Sequence, residues 1–419
     1  MTPLQKEIRN LAQNAQSASK VLAVASTEVK NRTLRRMADS LRKDRRLILR
    51  ANRKDLAVAS RKGSSKAFLD RLVLDEKGIH GMAESLEAIA RLNDPVGEVL
   101  QMSRRPNGFM IGKIRVPLGV IAIIYESRPN VTSDSAGLCL KSGNAVVLKG
   151  GSEALASNQA ITLLLQMVLK KEGLPAASIS LIRQSGHEAV RALLRQDEFI
   201  TLVIPRGGES LIREVAALSK IPVIKHYKGI CHVYVDSECD LNMAEKIAMN
   251  AKVERPATCN AMETLLVHEE VAPRFLPPLI HRLQDSGVEI RGCDRTRRLV
   301  RGLKRATVKD WRTEYLDLIL SVRVVKDLSE AITHITEYGS MHTDTIVTEN
   351  NNHAIRFLRE VDSACVFVNA STRMSDGGVF GMGAEIGIST EKLHARGPMG
   401  LAELTSYKFI GFGNGQIRE

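Results

Sequence analysis

Val120-Ile-Ala-Ile-Ile-Tyr125 and, some twenty residues on, Asn144-Ala-Val-Val-Leu-Lys149-Gly150-Gly151-Ser152-Glu153 are the stretches that decide the fold. Both are short β-branched runs, and the second breaks into a glycine turn. Working outward, runs of the same kind fall at 178–183, 200–204, 221–225 and 231–236. Helical patterns occupy 152–172, 187–195 and 208–220 between them. That alternation predicts an open, mostly parallel sheet with helices on its faces, an α/β fold. Ligands of such sheets sit at the carboxyl ends of the strands, so the turns there are where function is sought.

Upstream, residues 3 to 92 read as helices, with Leu34, Met37, Leu41 and Ile48 at helical spacing among basic residues. Val99-Leu-Gln-Met-Ser and Phe109-Met-Ile-Gly-Lys-Ile-Arg-Val116 flank Pro106-Asn107-Gly108, a hairpin signal. Downstream, a helix at 242–252 delivers the chain to Lys252-Val-Glu-Arg-Pro-Ala-Thr-Cys259. Further runs, including 263–268, 344–348 and 364–369, then predict a second α/β domain. A last strand is expected from Thr405.

At 419 residues the chain can hold two or three domains, and 44% hydrophobic with 26% charged residues is the balance of a globular protein. Much of the net charge of +13 is local. One block runs from Lys30 to Lys54 and another from Arg291 to Arg305. Solvated helix faces explain them better than nucleic acid does, since the first block has no aromatics interleaved for stacking. A positive field also attracts anionic cofactors and phosphorylated substrates. The six cysteines are scattered, without a CxxC pair or a nearby histidine pattern, so no metal is expected. The longest apolar stretch, Val116 to Tyr125, is too short to span a bilayer. A reducing cytoplasm is the expected setting.

Three places carry chemistry. In the turn Leu148 to Glu153, glycines let backbone amides approach a phosphate, Ser152 can cap the following helix, and Lys149 adds a point charge. An ordinary glycine turn explains it as well, but Pro205-Arg206-Gly207-Gly208-Glu209-Ser210 repeats the arrangement two strands later. Cys259 has polar neighbours in Thr258 and Asn260, with Arg255 close by; a lone cysteine is usually a small buried residue, and these neighbours argue against that here. A nearby cation raises the thiolate fraction, and a thiolate is a strong acyl acceptor. The third place, Phe380 to Gly400, is too dense in glycine and charge for a routine helix or strand and reads as a functional or interface loop.

On Val116-Pro-Leu-Gly-Val-Ile, Tyr125-Glu-Ser-Arg-Pro-Asn-Val131, Leu148-Lys-Gly-Gly, Ile204-Pro-Arg-Gly-Gly, Cys231-His-Val-Tyr-Val-Asp and Pro256-Ala-Thr-Cys-Asn the chain resembles the γ-glutamyl phosphate reductase family. These are short members of the aldehyde dehydrogenase superfamily. The stretch from Val325 through His334, Tyr338, His342 and Asp344 to Ile346 fits the same signature, as does Asn369-Ala-Ser-Thr-Arg373 followed by Asp376-Gly-Gly.

The resemblance implies a cofactor domain over 1–228, a catalytic domain over 229–395 and a C-terminal segment over 396–419. The hairpin 99–116 and the tail would form an oligomerisation element, giving a homodimer or homotetramer. It implies Cys259 as nucleophile toward γ-glutamyl phosphate, a thioester reduced by NADPH, and glutamate-5-semialdehyde as product, on the route to proline. Ser127 stands where the superfamily has its oxyanion asparagine, so Ser127, Asn130 or the Cys259 amide would donate there. His226 or a neighbour stands where hydrolytic relatives keep a glutamate base, a water-activating group that an acyl-phosphate enzyme does better without. Lys149 matches a lysine on the adenosine ribose. Ser152, where NAD-preferring relatives often carry glutamate, favours NADP(H). Gly150, Gly151, Arg206, Gly207 and Gly208 would line the cofactor, and Glu314 would hold the nicotinamide ribose. Arg128, Arg255 and Arg373 are the candidates for the substrate's anionic groups, each with a structural ion pair as the plainer reading. γ-Glutamyl kinase, which makes the labile acyl phosphate, is a candidate partner. A coenzyme A-dependent acylating dehydrogenase is the rival enzyme.

Overall fold

The hairpin forms as its turn residues require: β1 (Val99–Arg104) pairs antiparallel with β2 (Met110–Pro117), and Gly108 between them takes φ +85°. The computed structural model describes residues 1–63 and 66–418. Four strands then build a parallel sheet, β3 (Val120–Tyr125), β4 (Ala145–Gly150), β5 (Ile179–Leu181) and β6 (Leu202–Arg206), in the order β5-β4-β3-β6. Every residue of β3 and β4 is buried. Helices Pro3–Leu22, Asn130–Lys141 and Leu155–Lys171 pack on these strands. The run at 221–225 does not become a strand. Pro222 has no N–H to give, and the segment makes only a bridge, Val203 N donating to Pro222 O and Ile224 N to Val203 O.

A second sheet opens at β7 (Cys231–Val235) and continues with β8 (Met262–His268), β9 (Glu289–Gly292), β10 (Lys304–Arg305), β11 (Ile319–Val325), β12 (Thr343–Val347) and β13 (Cys365–Val368). All seven run parallel, in the order β10-β9-β11-β8-β7-β12-β13. Its core joins Val233, Leu265, Val267 and Val322 to Leu276, Leu279 and Leu283 of the helix Ala272–Asp285. A small antiparallel pair, β14 (Ile388–Ser389) and β15 (Gly397–Pro398), follows. The final strand, β16 (Thr405–Phe412), pairs antiparallel with β2 along its whole length.

The contacts divide the chain into two units. The first takes Met1–Lys225, Gly381–Gly387 and the chain from Met399; the second takes His226–Phe380 and Ile388–Pro398. The glycine-rich stretch from Phe380 is therefore shared between units, where the sequence placed all of it before 395 in one domain.

Both basic blocks are laced with acidic partners. Lys30 lies 2.9 Å from Asp94 with both side chains buried, Arg32 2.7 Å from Glu172, and Arg42 2.9 Å from Glu87. In the second block Arg291 pairs with Asp310 at 2.6 Å and Arg295 with Glu269 at 2.7 Å. Among the described residues no helix is long and apolar enough to cross a membrane.

Candidate functional site

Cys259 lies in the turn between the helix Leu241–Val253 and β8, and the neighbouring strand ends bring histidines to it. His226 opens the second unit, and His342 immediately precedes β12. One nitrogen of each ring and the Cys259 sulfur all lie within 4.8 Å of one another. The two rings meet edge to face, centroids 5.5 Å apart. His226 Nδ1 is 2.9 Å from the carbonyl of Ile388; a carbonyl only accepts, so Nδ1 carries the proton and Nε2 the lone pair.

Behind Cys259 stands Cys231, fully buried at the start of β7, whose Sγ donates to the Cys259 carbonyl at 3.2 Å and lies 3.7 Å from His342 Nδ1. Burial first, then the nearby Asp344 carboxylate, pushes the Cys231 thiol well above its ordinary range. It stays a thiol and a packing group. Gly229 passes so close that a Cβ there would collide with the carbonyl of Cys259. Its N–H donates to Glu314 Oε1 at 2.9 Å, and Ile230 N donates to Ser340 Oγ at 2.8 Å, so the strip beside Cys259 is pinned.

The turn itself is braced from the other side. Arg373 Nη1 donates to Thr258 Oγ1 at 2.9 Å and to Asn260 Oδ1, and Nε lies 3.7 Å from Glu254. Asn260 Nδ2 donates to the Ser375 carbonyl at 3.0 Å. Of the three arginines singled out for substrate, Arg373 thus clamps the loop that carries Cys259. Arg255 is exposed on that loop, and Arg128 is exposed in the first unit.

The expected cofactor residues of the first unit come together at the ends of β4 and β6. Lys149 is buried and folds back so that Nζ donates to the Gly150 carbonyl at 2.8 Å. Burial holds its ammonium below the usual lysine range, against the pull of Glu153. Ser127 Oγ donates to Glu153 Oε1 at 2.7 Å, which ties Ser127 to the Gly150-Gly151-Ser152 turn. Asn130 opens the helix Asn130–Lys141, where its Nδ2 donates to Asp134 Oδ2 at 3.1 Å. Gly208 caps the helix Glu209–Leu218 with open space where a Cβ would stand, and its N–H donates to Glu126 Oε2 at 3.0 Å. A carboxylate thus already occupies a helix N-terminus that favours anions. Arg206 packs against Gly387, whose φ of +147° and contact with the guanidinium leave no place for a side chain. Glu314, the remaining expected cofactor residue, lies in the second unit, within the range expected for the catalytic domain, and accepts from Gly229 N.

Sequence reasoning gave no role to Gly229 or His342. A glycine before a strand and a histidine in a signature run carry no local sign that they meet Cys259.

A family model described as the aldehyde dehydrogenase family matches residues 4–291. The γ-glutamyl phosphate reductase of Thermodesulfovibrio yellowstonii is 55% identical over 98% of this chain and 99% of its own. The crystal structure of the Thermotoga maritima γ-glutamyl phosphate reductase superposes with a TM-score of 0.97 at 46% identity, covering 99% of this chain and all of that one. An acetylating aldehyde dehydrogenase from Geobacillus thermoglucosidasius shares the fold, with a TM-score of 0.71 at 17% identity.

Proposed function

The chain belongs to the aldehyde dehydrogenase family and, within it, to the γ-glutamyl phosphate reductases, and we propose that it reduces γ-glutamyl 5-phosphate to glutamate-5-semialdehyde and phosphate through a thioester on Cys259. The observation that carries this reading is the setting of Cys259, a thiol between two imidazoles on a turn held from both sides. His226 Nε2 takes the thiol proton. The thiolate adds to the acyl carbon, and phosphate leaves with the electron pair of the broken C–O bond. Neither Arg373 nor Glu314 reacts; they keep the turn in place so that the sulfur meets the carbonyl in a productive geometry. The Cys259 amide and Asn130 are the proposed donors to the oxyanion, and Ser127 would join them only on releasing Glu153.

The residues at the ends of β4 and β6 fit a nicotinamide dinucleotide. Gly208 offers an N–H at a helix N-terminus with space beside it, Lys149 brings a cation to the strand end, and Gly150, Gly151 and Gly207 keep the backbone bare. NADPH, when bound, supplies the hydride that takes the thioester to the aldehyde. Ser152 in place of a glutamate supports NADP(H), with Glu153 drawn aside by the Ser127 hydroxyl and Glu126 giving way at Gly208. The enzyme would act in the cytoplasm as a homo-oligomer, on the route to proline, and receive its labile substrate from γ-glutamyl kinase.

The reverse reaction tests this directly. Glutamate-5-semialdehyde, NADP and phosphate are mixed with the protein, and NADPH absorbance is followed. Phosphate-dependent NADPH formation that Cys259→Ala abolishes and NAD does not match is the expected result. Turnover that follows coenzyme A instead of phosphate would replace the substrate, and turnover surviving Cys259→Ala would replace the mechanism.

A further inference from the structure

We propose that His226, Cys259 and His342 form a binding site for a divalent cation of the zinc class, and that filling it takes the nucleophile out of reaction. Three potential ligand atoms, one from each residue, stand within 4.8 Å of one another. Two imidazoles and a thiolate are a donor set that zinc and its soft neighbours select, whereas magnesium and calcium require oxygen. In a tetrahedral site with bonds of about 2.0–2.3 Å the ligand atoms stand roughly 3.3–3.7 Å apart. The three side chains therefore need to draw in by about an ångström, within reach of small torsional changes at the part-buried His226 and Cys259.

The surroundings are those of a ligand set. His226 donates Nδ1–H to the Ile388 carbonyl at 2.9 Å, the kind of second bond that fixes the tautomer and ring plane of a metal-bound histidine. His342 is fully buried, with Nδ1 2.9 Å from Thr343 Oγ1, so its ring is held by the strand it precedes. Cys231 does not compete as a ligand, because its sulfur already donates to the Cys259 carbonyl. Three protein ligands leave the fourth position to water, which suits reversible binding. The binding step is a proton exchange without redox change. Cys259 gives its thiol proton to solvent, and a sulfur–metal bond forms in its place. A capped sulfur cannot attack an acyl group, and it is also shielded from oxidation.

The test uses the whole protein and needs no substrate, so its failure would leave the proposed reaction standing. Cobalt(II) serves as the spectroscopic probe for zinc. One equivalent should produce a thiolate-to-cobalt charge-transfer band that Cys259→Ser abolishes, that His226→Ala and His342→Ala weaken at least tenfold in apparent affinity, and that Cys231→Ser leaves in place. On the wild-type chain, one equivalent of zinc should slow alkylation of Cys259 by iodoacetamide at least tenfold, and a chelator should restore it. This second readout requires no variant to fold. A wild-type protein that shows neither band nor protection overturns the site. So does a band that both histidine variants leave at full strength, which would be binding to the thiol alone.

Discussion

Gly229 has no room for a methyl group: its neighbour in space is the carbonyl of Cys259. Gly229→Ala must move that carbonyl, and with it the sulfur of the same residue. A displacement near an ångström at a reacting group costs on the order of 100-fold in rate. We therefore expect kcat to fall about 100-fold while the far-ultraviolet circular dichroism stays unchanged; a variant with wild-type kcat would show that the close approach does not position Cys259. That Cys259 is not a core cysteine was legible, because Thr258, Asn260 and Arg255 beside it do not suit one, and the residue is part-buried. Gly229 and His342 were not, since they reach the sulfur only through the parallel pairing of β12 with β7, which sets His342 beside Cys231. Arg373 was one of three candidates for the substrate's anionic groups, with a structural role as the plainer reading, and nothing in its own neighbourhood reveals that Thr258 and Asn260 receive it.

Between elements, one fully buried polar tie joins Lys252 on the helix Leu241–Val253 to Glu263 on β8, Nζ to Oε2 at 2.7 Å. Burial pushes the carboxyl up and the ammonium down, each against the attraction of its partner. Glu263 Oε1 also accepts from Leu316 N at 3.1 Å, and Leu316 sits at φ +54° in the loop that carries Glu314 to Gly229. The pair thus anchors helix, strand and site loop together. Lys252→Met strands a buried carboxylate, at a cost of about 3–5 kcal/mol, and should lower the melting temperature on the order of 5–10 °C. Calorimetry showing an unshifted transition would mean the loop is held elsewhere. Elements were the most legible level. Runs such as Val120–Tyr125 and the tail from Thr405 hold because β-branched or alternating sequence and turn chemistry agree there. The run at 221–225 failed on a single residue, Pro222, whose missing donor outweighs the β-branched neighbours.

At the scale of the molecule, the fold class followed from the alternation of runs, as did the division into a parallel-sheet domain and a second α/β domain; the return of the chain to the first unit at 381–387 did not, because such returns rest on long-range contacts. The three-stranded sheet β1-β2-β16 is exposed along most of its length, with Tyr407, Phe409 and Phe412 more than half accessible. Exposed aromatics on a sheet with two open edges need a partner, and the proposed one is a second copy of the chain. Phe409→Glu should shift the protein to a smaller species in size-exclusion chromatography with light scattering. A wild-type protein that is already monomeric would dismiss the sheet as an assembly surface.

That same sheet also sets a schedule. β2 finds its second partner only in β16, and Asn144 Nδ2 reaches the Leu404 carbonyl at 2.8 Å, so the first unit borrows its last pieces from residues 404–412, far along the chain from Met1–Lys225. A ribosome emits the N-terminal residues first, yet nearly all of the second unit is in hand before the first can close. Maturation waits on residues 404–412, and a nascent chain stalled short of residue 405 would leave the ribosome with an unfinished edge.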